Sequence, residues 1–77
     1  MKCLEVLNQV FRQVFASPAL TIAPENTPND IDGWDSMAHV NLIAAVELRF
    51  KIKFENKELR SIRTVGDLAR LIDSKIV

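Results

Sequence analysis

The sequence predicts an all-α domain, a small four-helix bundle of three main helices and one short one, with a long loop between helices 1 and 2. Three observations carry this. Apolar residues recur at i, i+3, i+4 and i+7 in three segments, which is helical rather than strand periodicity. The one alternating run, Lys51-Ile52-Lys53-Phe54, is too short to be a strand and has no second run to pair with. The chain of 77 residues allows a single domain, placed at 1–77, whose core is small because only about 60% of the unfolded surface is buried at this size.

The first helix is expected over residues 2–15. Leu7, Val10, Phe11 and Val14 form its stripe, continued one turn earlier by Cys3 and Leu4, and Asn8, Gln9, Arg12 and Gln13 are its polar positions. Ser17-Pro18 ends it, because proline disfavours the helical region for the residue before it. Residues 17–35 read as a loop punctuated by Pro18, Pro24, Pro28 and Gly33, with Leu20, Ile22 and Ile31 spaced as anchors to the core. Loops of this length are commonly functional or disordered, and the anchors argue for order.

The second helix is expected from about 36 to 50, with Asp35 or Ser36 as its N-cap. At 100° per residue, Leu42, Ile43, Val46 and Phe50 fall on one face, and Met37, Val40, Ala44 and Leu48 on nearly the opposite one. A helix of so small a domain cannot be surrounded, so the first set reads as core and the second as a partner surface. Residues 51–54 read as a connector dropping Ile52 and Phe54 onto the core. Asn56 to Arg60 form a short helical turn burying Leu59. The last helix starts at Thr64, with Asp67 in a capping-box place and a stripe of Val65, Leu68, Ala69, Ile72 and Ile76. Gly66 in its first turn suggests close helix packing.

The apolar fraction of 48% is that of a folded domain, not a disordered one. No apolar run reaches the length of a membrane span and no secretory leader is evident, so no membrane association is expected. The lone Cys3 has no internal partner, which suits a reducing cytoplasm, the expected location. The net charge of zero conceals a segregation. Between residues 13 and 48 there are five acids and no Lys or Arg, whereas residues 49–77 hold eight bases and four acids. The bases are interleaved with acids and almost without aromatics, a solvated surface rather than a nucleic-acid footprint.

Ser36 stands out as the candidate functional residue. It follows a long one-sided acidic loop, an aromatic-bearing turn at Gly33-Trp34, and opens the helix with the second apolar face. A phosphate esterified there would meet the free amides and positive end of the helix dipole. Two other readings of the region fail. A Ser36/His39 nucleophile pair lacks a third residue to orient the imidazole, which points about 60° off the line through Ser36 toward Leu42 and Val46, so His39 reads as a half-buried structural residue. A calcium loop through Asp30, Asp32 and Asp35 lacks its closing bidentate glutamate, the position being Asn41. No constitutive metal site is expected. Trp34 is expected to pack its ring over the loop and helix ends.

Gly33-Trp34-Asp35-Ser36-Met37 resembles the signature of acyl carrier proteins, Asp-Ser-Leu, with Met37 in place of leucine. The resemblance covers nearly the whole chain, including Val40, Leu42, Val46, Glu47 and Phe50 and the ending Thr64-Val65-Gly66-Asp67-Leu68. It implies a four-helix carrier, not an enzyme, with 4′-phosphopantetheine from coenzyme A joined to Ser36 by a phosphopantetheinyl transferase, and an acyl or aminoacyl group held on its thiol as a thioester. It further implies that Asp35 and Gly33 are read during modification, with Mg²⁺ needed only transiently, and that Met37, Val40, Ala44 and Glu47 meet acyl-loading and acyl-processing enzymes. A monomer is expected. Carriers of fatty-acid synthesis are strongly acidic along this helix, whereas Ala38, His39, Asn41 and Leu48 stand here and Arg49, Lys51 and Lys53 follow. That departure favours a dedicated pathway such as polyketide, modified-peptide or glycan acylation. A peptidyl or aminoacyl carrier, and an unmodified helical interaction module, remain the alternatives.

Overall fold

In the computed structural model, which describes residues 3–76, the chain forms four helices. They are α1 (Leu4–Val14), α2 (Ser36–Phe50), α3 (Asn56–Arg60) and α4 (Val65–Ile76). No residue among those described is in a strand, in keeping with the isolated 51–54 run. The expected start of the first helix at Lys2 lies outside the described residues. Among those described, no helix is long and apolar enough to cross a membrane.

The periodic stripes became the core except at the end of α4, where Ile76, expected in the stripe, is 44% exposed at the last residue of the helix. Leu7, Val10 and Phe11 of α1 meet Leu42, Ile43 and Val46 of α2 and Val65, Leu68, Ala69 and Ile72 of α4, all buried. Cys3 lies at the base of α1 with Sγ 3.4 Å from the Ala69 carbonyl oxygen, a small buried hydrophobe as its surroundings required. Burial, followed by the Asp73 carboxyl beside it, pushes its thiol up to about 12.

The first helix stops before the proline expected to end it. Ala16 adopts a left-handed conformation at φ 50°, Ala16 N–H donates to the Gln13 carbonyl and Ser17 N–H to the Arg12 carbonyl. These are the paired bonds of a Schellman end, made with alanine where glycine is usual. Lys51 ends α2 in the same region, at φ 58°, and Ile52 N–H then reaches the Glu47 carbonyl at 3.1 Å. The connector lays Ile52 and Phe54 half-buried against the core, as expected. Leu59 of α3 is also only half-buried, because a five-residue helix on the rim has no layer above it to complete the burial.

The long loop is ordered by more than its anchors. Ile22 and Ile31 are buried and Leu20 half-buried. Asn8, in sequence merely a polar position of α1, holds the loop like a backbone partner. Its Nδ2 donates to the Leu20 carbonyl at 2.9 Å and its Oδ1 accepts from Ile22 N–H at 2.7 Å, while Arg12 Nε also donates to the Leu20 carbonyl. Downstream, the loop supplies carbonyls to the start of α4: Val65 N–H bonds Asn26 O at 2.9 Å and Gly66 N–H bonds Pro24 O at 2.8 Å. Those amides would otherwise be orphans of the first turn. The close packing expected at Gly66 is therefore of loop on helix rather than helix on helix, since a Cβ there would sit 2.9 Å from the Pro24 oxygen. Thr64 and Asp67 complete the turn as the expected capping box, with Asp67 N–H donating to Thr64 Oγ1 and Thr64 N–H to Asp67 Oδ2.

Candidate functional site

The site sits where the loop enters α2. Gly33 takes φ 87°, a conformation that costs other residues dearly, and the chain turns there so that Asp35 N–H donates to the Gly33 carbonyl at 3.0 Å. A Cβ at this position would find room, 3.7 Å from Phe15, so the backbone angle rather than space demands the glycine. Asp35 is extended and is the N-cap: its Oδ1 accepts from Ala38 N–H at 2.8 Å, and its carbonyl from His39 N–H at 2.9 Å. Of the two capping candidates, the carboxylate does the work. Ser36 is then the first helical residue, exposed, with its hydroxyl left to solvent. The Ser36 and Met37 amides precede the first intrahelical bond of α2 and face the same end.

Trp34 goes deeper than expected. It does pack on the helix ends, against Phe11 and Phe15 at the end of α1, but it does so from within the core, 6% exposed, edge-on to Phe11 with ring centroids 5.4 Å apart and edge-on to Phe15 at 6.4 Å. Its indole N–H donates to His39 Nδ1 at 3.1 Å, and the two rings are nearly parallel. His39 is half-buried, as expected, and burial holds its pKa below the usual 6.5. The third residue missing from the sequence reading of His39 is thus this tryptophan, a donor that orients the ring but cannot serve as an acid–base partner. Spacing alone gave no signal for the pair, because Trp34 precedes the N-cap and so lies off the helical wheel that places His39.

Beside Ser36 a cleft of about 410 Å³ is lined by Pro28, Trp34, Asp35, Ser36, His39 and Ile62. A second groove, of about 240 Å³ between α2 and α3, is lined by His39, Val40, Ile43, Ala44, Glu47 and Leu59. His39 belongs to both. Along α2 the two apolar faces separate as the wheel predicts: Leu42 and Val46 are fully buried, while Met37, Val40 and Leu48 are 76%, 67% and 82% exposed, and Ala44 is exposed between them. Glu47 has a further duty the sequence did not disclose. It is half-buried, and its Oε2 accepts from Phe54 N–H at 2.9 Å, fixing the connector after the left-handed turn. Asp30 is occupied within the loop, accepting from the Thr27 amide and hydroxyl, and no group of three potential metal ligands occurs among the described residues.

These features define a class: a small helical domain that exposes a serine at a helix start, above a neutral apolar face. No family model matches the sequence. The chain is 27% identical over 71 residues to the acyl carrier protein of Acidothermus cellulolyticus, covering 92% of this chain and 84% of that protein. It superposes on the solution structure of a holo acyl carrier protein from Geobacter metallireducens with a TM-score of 0.93 and 46% identity, over 99% of this chain and 87% of that one. The chain belongs to the acyl carrier protein family. It is accordingly a carrier and not an enzyme.

Proposed function

We infer that Ser36 carries 4′-phosphopantetheine and that the chain delivers acyl groups among the enzymes of a specialised biosynthetic pathway. The observation that carries this is the division of labour at the start of α2: Asp35 caps the helix, so the exposed Ser36 hydroxyl is free for attachment. The residues suit a phosphodiester. Two unpaired amides and the helix dipole favour negative charge at that point, and the cleft opens next to the hydroxyl. The similar Geobacter protein is described as a holo form, which supports the same reading.

In loading, the Ser36 oxygen forms a bond to the pantetheine-side phosphorus of coenzyme A. The bond from that phosphorus to the adenosine bisphosphate half breaks, and the hydroxyl proton passes to a base of the phosphopantetheinyl transferase. Asp35 has one oxygen engaged in the cap and Oδ2 free for a Mg²⁺ ion shared with the transferase and the diphosphate. The bound arm supplies a terminal thiol on which the acyl group is held as a thioester. The exposed stripe of Met37, Val40 and Ala44, with Glu47 at its edge, is the face offered to loading and processing enzymes. That stripe is neutral and is followed by Arg49, Lys51 and Lys53, so its partners are not the basic enzymes suited to an acidic carrier, and a dedicated pathway fits better.

The test is incubation with coenzyme A and a promiscuous phosphopantetheinyl transferase, read by intact mass. The expected result is one phosphopantetheine added to the native sequence and none to Ser36→Ala. A protein that stays at its starting mass, or a Ser36→Ala variant that still gains mass, refutes the assignment.

A further inference from the structure

We propose that His39 is a positioning residue for the arm on Ser36, its Nε2–H donating a hydrogen bond to an oxygen of that arm where it leaves the cleft. The proposal rests on Ser36 being the attachment point. Three observations support it. First, Trp34 fixes the imidazole tautomer. The indole nitrogen is a donor only, so Nδ1, at 3.1 Å, must be the acceptor, and a neutral imidazole then carries its proton on Nε2. Second, the ring is placed by that bond. Nδ1 faces the buried indole, and because the two ring nitrogens diverge, Nε2 is directed away from Trp34.

Third, His39 lines both the cleft at Ser36 and the groove between α2 and α3, so a flexible arm passing from one to the other crosses its edge. Residues three apart on a helix have their Cβ atoms about 5–6 Å from each other, within reach of a phosphodiester on Ser36 or of the first amide beyond it. Other side chains offer little competition. Around the cleft, Pro28, Trp34 and Ile62 present no free donor and Asp35 is an acceptor, as is Glu47 on the groove side. Residues 13–48 hold no Lys or Arg at all. With Ser36 esterified, His39 is thus the one side-chain donor lining either hollow that is directed away from Trp34, and the charged residues lining them, Asp35 and Glu47, repel an anionic arm.

The acceptor is an oxygen, either of the phosphodiester or of the arm's amide carbonyl, and NMR on the loaded protein separates the two. The His39 Cε1–H resonance is titrated in the unloaded and loaded forms, together with the phosphorus resonance and the amide signals of an isotopically labelled arm. The expected result is a His39 midpoint higher in the loaded protein by about 0.5 pH unit or more, since an acceptor at Nε2 favours the protonated ring. A phosphorus signal following the same midpoint identifies the phosphodiester, and an arm amide following it identifies the carbonyl. In loaded His39→Gln, checked for native circular dichroism, the corresponding signal should no longer titrate in this range. If mass shows the arm attached and the His39 midpoint does not move, the proposal is overturned and the attachment stands. If no arm attaches, both fall.

Discussion

Asp35 and Ser36 are adjacent, and substitutions at the pair separate two duties. Asparagine caps a helix about as well as aspartate, whereas alanine does not. Asp35→Asn should therefore keep the urea midpoint of the native protein yet slow arm attachment through loss of the carboxylate offered to Mg²⁺. Asp35→Ala should lose about 1 kcal/mol of stability as well. Equal loading rates for the Asn variant and the native chain would show the carboxylate to be a cap alone. Cys3 makes a contrasting case at the same scale. Its thiol is buried and pushed up to about 12, so the reactive thiolate is scarce at neutral pH. An aromatic disulfide reagent should find no fast thiol in the unloaded native protein and one in urea. After loading, the native protein should show one fast thiol, that of the arm, so that cargo chemistry proceeds without interference from the protein's own sulfur.

Among the elements, α2 bears the sharpest test, because one helix serves two environments. Val40→Glu alters an exposed position and should change stability by no more than about 0.5 kcal/mol while impairing transfer from an acyl-loading enzyme. Leu42→Ala removes buried atoms two residues away and should cost about 2–5 kcal/mol, read by denaturant unfolding. This division was legible from periodicity, since the spacing of apolar residues on a helix determines which of them share a face. The ends of the elements were less legible. Ala16 and Lys51 take left-handed conformations that neither residue type announces, and helix-end hydrogen bonds such as Ser17 N–H to the Arg12 carbonyl and Ile52 N–H to the Glu47 carbonyl accompany them there. Lys51→Gly should accordingly stabilise the domain by about 0.5–1 kcal/mol, relief of the left-handed penalty outweighing the entropy of glycine. The loop contacts were hidden for another reason. Asn8 and Gly66 act through loop carbonyls and amides, which every residue carries, so the glycine announced a close approach without its partner and the asparagine announced nothing. Gly66→Ala should cost about 1–3 kcal/mol despite the better helix propensity of alanine, because the new methyl meets the Pro24 carbonyl. At the site, Asp35-Ser36 was legible as a motif and the Trp34–His39 bond was not, its partners lying on either side of the cap.

Over the whole molecule, the titrating groups give acid sensitivity in two stages. Burial lowers the pKa of His39, so between its folded and unfolded values the unfolded chain binds the extra proton. Its stabilising contribution is complete above about pH 6.5 and is lost as the pH falls through the lower folded value, when protonation of Nδ1 removes the acceptor of the Trp34 bond. Two carboxylates act at lower pH. Glu58 is held below its usual range by the Glu55 amide and then by Lys75, whose Nζ lies 3.0 Å away and ties α3 to the end of α4. Asp67 is held low first by the Arg63 amide, with Arg70 also contributing. Both are depressed, so their contributions are complete above about pH 4 and vanish as the pH drops through their folded values. Urea midpoints followed by circular dichroism should decline from neutral pH toward pH 5 and again below pH 4. His39→Gln should flatten the first decline and leave the second. Glu58→Gln combined with Asp67→Asn should do the reverse, since those carboxylates pair with Lys75 and Arg70 and share no hydrogen-bond partner with Trp34 or His39. A first decline that persists in His39→Gln would place the neutral-range sensitivity outside the loop-to-α2 junction.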